Sequence, residues 1–233
     1  MALPKLEATR YTCELPLSKK TVEYRPFLVK EQKHLLVAGE SEDGKVINKS
    51  LIDLIESCTY GDLRVNKIPM ADVEYLFLQI RIKSAGETSD VQLQCEKCEE
   101  PNPVSIDLTK VRMETENLPD GHIKLSDTMG MNLVWPSIEQ VNEDDKATDS
   151  EQIFKIISGS IESVYNGDEV FTRDDWNEKE INEFIDSLNI DQFQLVQEFL
   201  TNIPRIEETI EYNCVACGTA NKKVLSGIQD FFS

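Results

Sequence analysis

Two short cysteine pairs constrain this chain more than any other feature. Cys95 and Cys98 form the first C-x-x-C pair, and Cys214 and Cys217 form the second, far along the chain. Each pair interrupts a stretch in which apolar and polar residues alternate as in a β-hairpin. Four thiolates at this spacing can close a tetrahedral zinc site. The sequence therefore predicts one structural Zn²⁺, bound by all four cysteines, that joins the middle of the chain to its C-terminal end.

Two other interpretations of the cysteine pairs stay open at this point. The pairs can serve two separate purposes or have lost the metal, or one pair can carry thiol–disulfide redox chemistry. A redox pair favours one thiol at a helix N-terminus, whereas strand-like patterns flank both pairs here. Gly218 follows Cys217 where a zinc-binding knuckle often needs a small residue, but Glu99 takes the equivalent place after Cys98. Only the second pair therefore has the full knuckle pattern.

The charge of the chain limits the classes of partner. Lys and Arg number 24 against 43 Asp and Glu, which gives a formal net charge of -19 over 233 residues. A phosphate backbone is a poor partner for such a surface, so nucleic acid is not expected. The hydrophobic content of 40% is enough for one large folded domain or two small ones. We expect the partners to be other proteins.

The sequence also predicts where the chain is found. No uncharged apolar run reaches the roughly 20 residues that a membrane span needs, and the first ten residues lack the apolar core of a secretion signal. Six cysteines are few for a disulfide-stabilised protein of this length, and C-x-x-C pairs in a reducing compartment favour metal. We expect a soluble protein of the cytosol.

The first part of the chain reads as a mixture of strands and helices. Residues 21–29 and 35–38 have extended character, with a break at Pro26. Apolar residues at helical spacing predict one helix over residues 51–60 and a second that opens at residues 69–72 and ends at residues 84–86.

Alternating segments before and after Cys95 then predict a hairpin with the first pair at its tip, where Asn102 and Pro103 help to turn the chain. Further strands are expected before Pro136.

The second part of the chain changes to a helical pattern. One apolar stripe runs from Ile153 to Val164, and Asn177 with Glu180 forms a capping box that opens the next helix. A third helix is expected around Val196, and alternating residues on both sides of Cys214 predict a second hairpin.

The predicted fold class is α+β, with zinc-ribbon-like paired knuckles on β-hairpins, a mixed N-terminal part and a helical insert. The predicted divisions are an N-terminal part over residues 1–138, an acidic linker over 139–151, the helical insert over 152–204, and a C-terminal knuckle and apolar tail over 205–233 that pack back on the N-terminal part.

No other residues form a recognisable site. His34 and His122 lie in no ligand-like spacing, Cys13 has no recognisable partner base, and Cys58 falls on the apolar stripe of a predicted helix. No glycine-rich phosphate loop is present. We therefore predict no catalytic residues, no cofactor besides zinc, and no enzymatic activity. The apolar tail that ends in Phe231 and Phe232 is expected either to dock on the chain itself or to anchor a partner.

Several segments together resemble a known family. They are the blocks over residues 24–36, 72–81, 83–87 and 225–232. With the terminal knuckle, they resemble the baseplate hub subunit family of T4-like tailed bacteriophages, from about residue 3 to the C-terminus. The resemblance implies a non-enzymatic protein that helps to build the central hub of the tail baseplate. It implies binding to other hub or tape-measure proteins in the cytoplasm of the host bacterium, either as a hub subunit retained in the virion tail or as an assembly chaperone.

A zinc-ribbon module that binds nucleic acid is the alternative. Such a module requires a basic or aromatic surface near the knuckles. The nearby cations are Lys97, Lys222 and Lys223, and neighbouring glutamates offset them. The sequence therefore favours protein–protein contacts during hub assembly.

Overall fold

The computed structural model describes residues 8–39, 44–141 and 149–231. The chain divides into two compact units. The first unit comprises Met1–Val65, Ala71–Thr115 and Pro204–Ser233, and the second comprises Asn66–Met70 and Glu116–Ile203. The longer segment of the second unit starts at Glu116, ahead of the acidic segment at 139–151, and its residues 129–133 pair there with residues 161–166 of the predicted insert. Residues 142–148 of that acidic segment lie outside the described residues.

Helices and small antiparallel sheets both occur, which agrees with the predicted mixture of α and β structure. In the described part of the chain the helices are α1 Val29–Gly39, α2 Gly44–Cys58, α3 Met70–Ala85, α4 Ile138–Val141, α5 Asp149–Ser160, α6 Glu178–Asp186 and α7 Ile190–Thr201. The strands are β1 Tyr11–Glu14, β2 Thr21–Tyr24, β3 Thr88–Gln94, β4 Pro101–Asp107, β5 Arg112–Met113, β6 His122–Lys124, β7 Met129–Leu133, β8 Ile161–Asn166, β9 Glu169–Thr172, β10 Ile206–Asn213 and β11 Ala220–Ser226. Short 3-10 helices span Val65–Lys67 and Ile228–Phe231.

The predicted strand over residues 35–38 is wrong, because these residues lie in α1. A short apolar run does not distinguish a strand from a helix by its periodicity. The start of α1 is instead set by Glu31, whose carboxylate accepts a hydrogen bond of 2.7 Å from the backbone N–H of Leu28. This contact satisfies an N–H at the beginning of the helix and favours helical continuation through residue 39.

The two helices predicted in the N-terminal part are confirmed as α2 and α3. The apolar stripe of α2 is buried, and the chain leaves the helix through Tyr60 and Gly61, which have positive φ angles of 60° and 77°. Asp72 in the first turn of α3 accepts hydrogen bonds from the backbone N–H groups of Leu17 and Ser18, at 2.8 and 2.9 Å. These bonds hold the turn between β1 and β2 on the start of α3.

The core of the first unit joins α3 to both cysteine-bearing hairpins and to the C-terminus. The apolar tail docks on the chain itself, at least through Phe231, which is fully buried. The hydroxyl of Ser89 donates a hydrogen bond of 2.7 Å to the carbonyl of Phe231. Phe232 lies outside the described residues. The buried cluster contains Leu78, Ile82, Val91, Leu93, Ile106, Leu108, Val111, Ile206, Leu225 and Phe231.

The second unit packs α5, α6 and α7 with a sheet of order β6-β7-β8-β9. The capping box of Asn177 and Glu180 is confirmed at the start of α6. The predicted helical stripe through Val164 is wrong beyond Ser160, because residues 161–166 form β8. Val164 pairs with Met131 of β7, so a neighbouring strand and not local periodicity decides the conformation. Throughout the described ranges, no helix is both long enough and apolar enough to cross a membrane.

Candidate metal centre

Each cysteine pair lies in the loop between two paired strands of the first unit. The last pair of residues in the β3–β4 ladder is Gln94 with Pro101, and the last in the β10–β11 ladder is Asn213 with Ala220. Each loop therefore holds the C-x-x-C pair and the two residues that follow it. We call the loop of residues 95–100 the first knuckle and the loop of residues 214–219 the second knuckle.

The two knuckles have the same backbone hydrogen bonds. In the first knuckle, the N–H of Cys95 donates to the carbonyl of Glu100 at 3.0 Å, and the N–H of Glu99 donates to the carbonyl of Cys95 at 2.9 Å. The corresponding bonds of the second knuckle both measure 2.9 Å, from Cys214 to Thr219 and from Gly218 to Cys214. The sequence predicts the full knuckle conformation only where glycine follows the pair, but the first knuckle adopts it without one.

The two knuckles bring the four cysteine sulfurs together. Sγ of Cys98 lies 3.6 Å from that of Cys214 and 3.5 Å from that of Cys217, and Sγ of Cys95 lies 3.7 Å from that of Cys217. All four sulfurs lie within 4.8 Å of one another. A disulfide requires about 2.05 Å between sulfurs, so these thiols are unpaired. Four sulfurs about 2.3 Å from one central ion would lie about 3.8 Å apart, so the group has the size of a tetrahedral zinc site.

The sulfur group has one buried side and one exposed side. The first cysteine of each pair is buried, with Cys95 1% and Cys214 3% exposed, while Cys98 and Cys217 are exposed. The buried cysteines fix the group to the body of the first unit. An ion can reach the group from the side of Cys98 and Cys217.

Hydrogen-bond donors around the sulfurs lower the pKa values of two of the four cysteines. The hydroxyl and the backbone N–H of Thr219 lower the pKa of Cys217 to about 6, and the hydroxyl oxygen lies 3.2 Å from Sγ. The backbone N–H groups of Cys98 and Lys97 lower the pKa of Cys95. Hydrogen bonds from N–H and O–H groups stabilise the charged form of a thiol.

Crowding of the sulfurs opposes a fully ionised group. The backbone N–H of Glu100 lowers the pKa of Cys98, but the Cys217 sulfur, partial desolvation and the sulfurs of Cys214 and Cys95 together outweigh it and raise the pKa to about 12. Four thiolates so close together repel one another unless a cation lies between them. A divalent ion supplies that charge, so the electrostatics and the geometry of the sulfur group fit the same ligand.

Two asparagines connect the knuckles, and the sequence prediction missed their role. Asn102 lies in β4 and does not turn the chain; its side-chain oxygen accepts a hydrogen bond of 2.8 Å from the backbone N–H of Val215. Asn221 of β11 accepts one of 3.0 Å from the N–H of Glu96. Each asparagine follows the first cysteine of its own pair by the same spacing, C-x-x-C-x-x-x-N. That repeated spacing is the feature by which a sequence comparison of the two knuckles would find them.

The remaining cysteines and histidines lie outside the sulfur group. Burial, followed by the charge of Asp72, raises the pKa of Cys13 to about 11, and burial also raises that of Cys58 to about 11, so neither is an activated thiol. His34 lies exposed on α1, and His122 of the second unit stacks on Tyr165. Within the ranges that the structure describes, the sulfur group is the one set of His, Cys, Asp or Glu side chains close enough to hold a metal ion.

Comparison with known proteins gives two matches. A family model described as "T4 bacteriophage base plate protein" matches residues 8–233. The chain is also similar to the baseplate hub assembly protein gp26 of Enterobacteria phage T4, with 22% identity over 222 residues that cover 95% of this chain and 97% of that protein. No solved structure matches the chain significantly. The two matches confirm the resemblance drawn from the sequence.

Proposed function

The chain belongs to the T4 bacteriophage base plate protein family, and we propose from this membership that it is a non-enzymatic protein of baseplate hub assembly. The observation that carries the proposal is the match to a baseplate hub assembly protein over nearly the whole of both chains. In this role the chain binds other hub or tape-measure proteins in the cytoplasm of the infected bacterium. It acts either as a hub subunit or as an assembly chaperone.

The proposal includes a structural zinc ion bound by the sulfurs of Cys95, Cys98, Cys214 and Cys217. The separations of 3.5 to 3.7 Å between sulfurs of the two knuckles support this assignment. Four protein ligands complete the tetrahedral coordination of a zinc ion and leave no position for a substrate. This is typical of structural zinc sites and not of catalytic ones. We call the two knuckles with their zinc ion the clasp.

The clasp would act by making two distant parts of the chain into one rigid platform. The C-terminal hairpin is already held at several points, since β10 pairs with β5 and the hydroxyl of Tyr212 donates a hydrogen bond of 2.7 Å to the carbonyl of Gln94. A metal bond between the hairpin tips restrains them further. A platform restrained in this way loses less conformational entropy when a partner protein binds to it.

An infection assay tests the functional proposal. A phage that lacks this protein is supplied with the wild-type chain, with the variant Cys214→Ser, or with the control Cys13→Ser, whose sulfur lies outside the sulfur group. We expect the wild-type chain and the control to restore complete tails, and Cys214→Ser to abolish tail assembly because it opens the clasp. Tail assembly without any of the three chains would overturn the role in hub assembly. Full rescue by Cys214→Ser would overturn the role of the clasp.

Purified mature particles separate the two forms of the proposal. A hub subunit stays in the virion at a fixed number of copies per tail, whereas an assembly chaperone is present during assembly and absent from the particle. Quantitative mass spectrometry of tails and of assembly intermediates measures both. Absence of the chain from the intermediates as well as from the particles would contradict both forms.

A further inference from the structure

We propose that Asn102 and Asn221 are a reciprocal pair of positioning residues that hold the two knuckles face to face without the metal and thereby raise the affinity of the clasp for zinc. The part that concerns zinc rests on the proposed function. The part that concerns the hydrogen bonds between knuckles depends only on the geometry of the polypeptide, so the two parts can fail separately.

Asn102 reaches from the first hairpin to the second knuckle. Its side chain is 1% exposed, and its Oδ1 accepts the hydrogen bond from the N–H of Val215. Its Nδ2 donates to the carbonyl of Glu100 at 2.6 Å, within its own knuckle, and to the carbonyl of Leu93 in β3 at 3.4 Å. The carbonyl of Glu100 also accepts the N–H of Cys95, so the asparagine is anchored beside the first metal ligand.

Asn221 makes the matching contacts in the opposite direction. Its side chain is 5% exposed, and its Oδ1 accepts the hydrogen bond from the N–H of Glu96. Its Nδ2 donates to the carbonyl of Thr219 at 2.8 Å, and this carbonyl accepts the N–H of Cys214. Each asparagine is therefore tied to its own knuckle and holds the residue that follows the first cysteine of the other.

The contacts explain why both positions are asparagine. A backbone N–H can only donate and a carbonyl can only accept, so the orientation of each side-chain amide is fixed by the N–H on one knuckle and the carbonyl on the other. Serine is too short to span both partners, an aspartate cannot donate, and an apolar side chain can do neither. Loss of either side-chain amide removes the hydrogen bond between the knuckles and leaves the backbone groups that it joined without this partner.

The two bonds bring the knuckles together before any ion binds. The four sulfurs then already lie near their final positions when zinc binds, so less of the binding free energy is spent on ordering the loops. Removal of a residue that does not bind the metal but holds a metal ligand in position typically weakens metal affinity by about 10- to 100-fold. The asparagines differ from such residues in one respect, because each orients the knuckle opposite to its own.

Amide hydrogen exchange tests the hydrogen bonds directly. The full-length chain is treated with a chelator to remove metal, and exchange at Val215 and Glu96 is followed by NMR. We expect Asn102→Ala to speed exchange at Val215 about 10-fold or more and to leave Glu96 unchanged, and Asn221→Ala to do the reverse, since each loses one hydrogen bond. The control is Asn213→Ala, an exposed asparagine next to Cys214, which should change neither amide.

The crossed pattern distinguishes positioning from general destabilisation. A variant that merely loosens the fold would speed exchange at both amides together. Equal exchange of both amides in every variant, or exchange changed only in the knuckle that carries the substitution, would overturn the proposal.

Competition with a chromophoric chelator then measures the affinity for zinc. Each asparagine variant should bind zinc about 10- to 100-fold more weakly than the wild-type chain, and Asn213→Ala should bind it equally well. If the crossed exchange pattern is present and zinc affinity is unchanged, the proposal that the asparagines raise the affinity for zinc is wrong. If the wild-type chain binds no zinc, the proposed clasp is wrong, and the exchange pattern still decides whether the asparagines join the knuckles.

Discussion

Glu99 and Gly218 occupy equivalent positions directly after the second cysteine of each pair, and both have a left-handed backbone, with φ angles of 59° and 68°. Glycine adopts this region without steric cost, whereas a residue with a Cβ atom pays about 1–2 kcal/mol. The first knuckle therefore carries strain that the second avoids.

Glu99→Gly should stabilise the first unit by about 0.5–1 kcal/mol, because the relief of strain exceeds the added entropy of glycine in the unfolded chain. Gly218→Ala should destabilise it by about 1 kcal/mol, and only through the backbone, since a Cβ atom at Gly218 would meet nothing within 4 Å. Urea unfolding followed by circular dichroism measures both changes.

The control for this prediction is Glu99→Gln, which removes the charge but keeps a side chain in the left-handed region. If Glu99→Gln is as stabilising as Glu99→Gly, the gain comes from lost repulsion with the cysteines and not from the backbone, and the prediction is wrong.

Because of Glu31, the free energy of unfolding of the first unit should vary with pH in the acid range. Burial raises the pKa of its carboxyl, but hydrogen bonds from Arg25, the Leu28 backbone and Ser57, together with Lys30, outweigh burial and lower the pKa to about 2. Because the pKa in the folded state is lower than the usual value of 4.5, the stabilisation is complete above about pH 4.5 and is lost as the pH falls toward 2. At neutral pH, Glu31→Gln should cost about 3 kcal/mol.

The measurement is the free energy of unfolding of wild type and Glu31→Gln between pH 2 and pH 7, as a function of urea. The difference between the two proteins should be greatest at neutral pH and close to zero near the lowest pH. Glu23→Gln is the matched control: Glu23 forms an exposed ion pair with Arg10, and its replacement should cost less than about 1 kcal/mol. A difference between wild type and Glu31→Gln that does not depend on pH would contradict the assignment.

Phe231 should be a major contributor to the stability of the first unit. It is fully buried in a cluster with α3 and both cysteine-bearing hairpins, so Phe231→Ala removes a large apolar side chain and should cost about 3–5 kcal/mol. Val224→Ala in the preceding strand, where the side chain is 53% exposed, should cost less than about 0.5 kcal/mol. Thermal and urea unfolding test the difference. Equal effects of the two variants would show that the C-terminus is not part of the core.

Local sequence patterns predicted the parts of the fold that local interactions determine. Apolar residues at helical spacing located α2 and α3, and the Asn177–Glu180 capping box located the start of α6, because these patterns act within a few residues of the chain. Strand β8 was missed because Ile161 and Val164 continue the spacing of the preceding helix. Their conformation depends on pairing with β7, which lies far away in the sequence.

In the candidate site, too, the sequence predicted some residues and missed others. The spacing of the cysteines was enough to predict that both pairs take part in one site, because two C-x-x-C pairs in one chain typically bind a single zinc ion. Asn102 and Asn221 were not predicted, since a single asparagine near a turn is ordinarily a turn residue. Their contacts cross between knuckles that only the folded chain brings together.

X-ray absorption at the zinc edge, on full-length protein purified with zinc and quantified for metal, tests the clasp most directly. We expect one zinc ion per chain, surrounded by four sulfur atoms at about 2.3 Å. Nitrogen or oxygen in the first coordination shell, fewer than four sulfur ligands, or a chain that retains no zinc would contradict a single ion shared by Cys95, Cys98, Cys214 and Cys217.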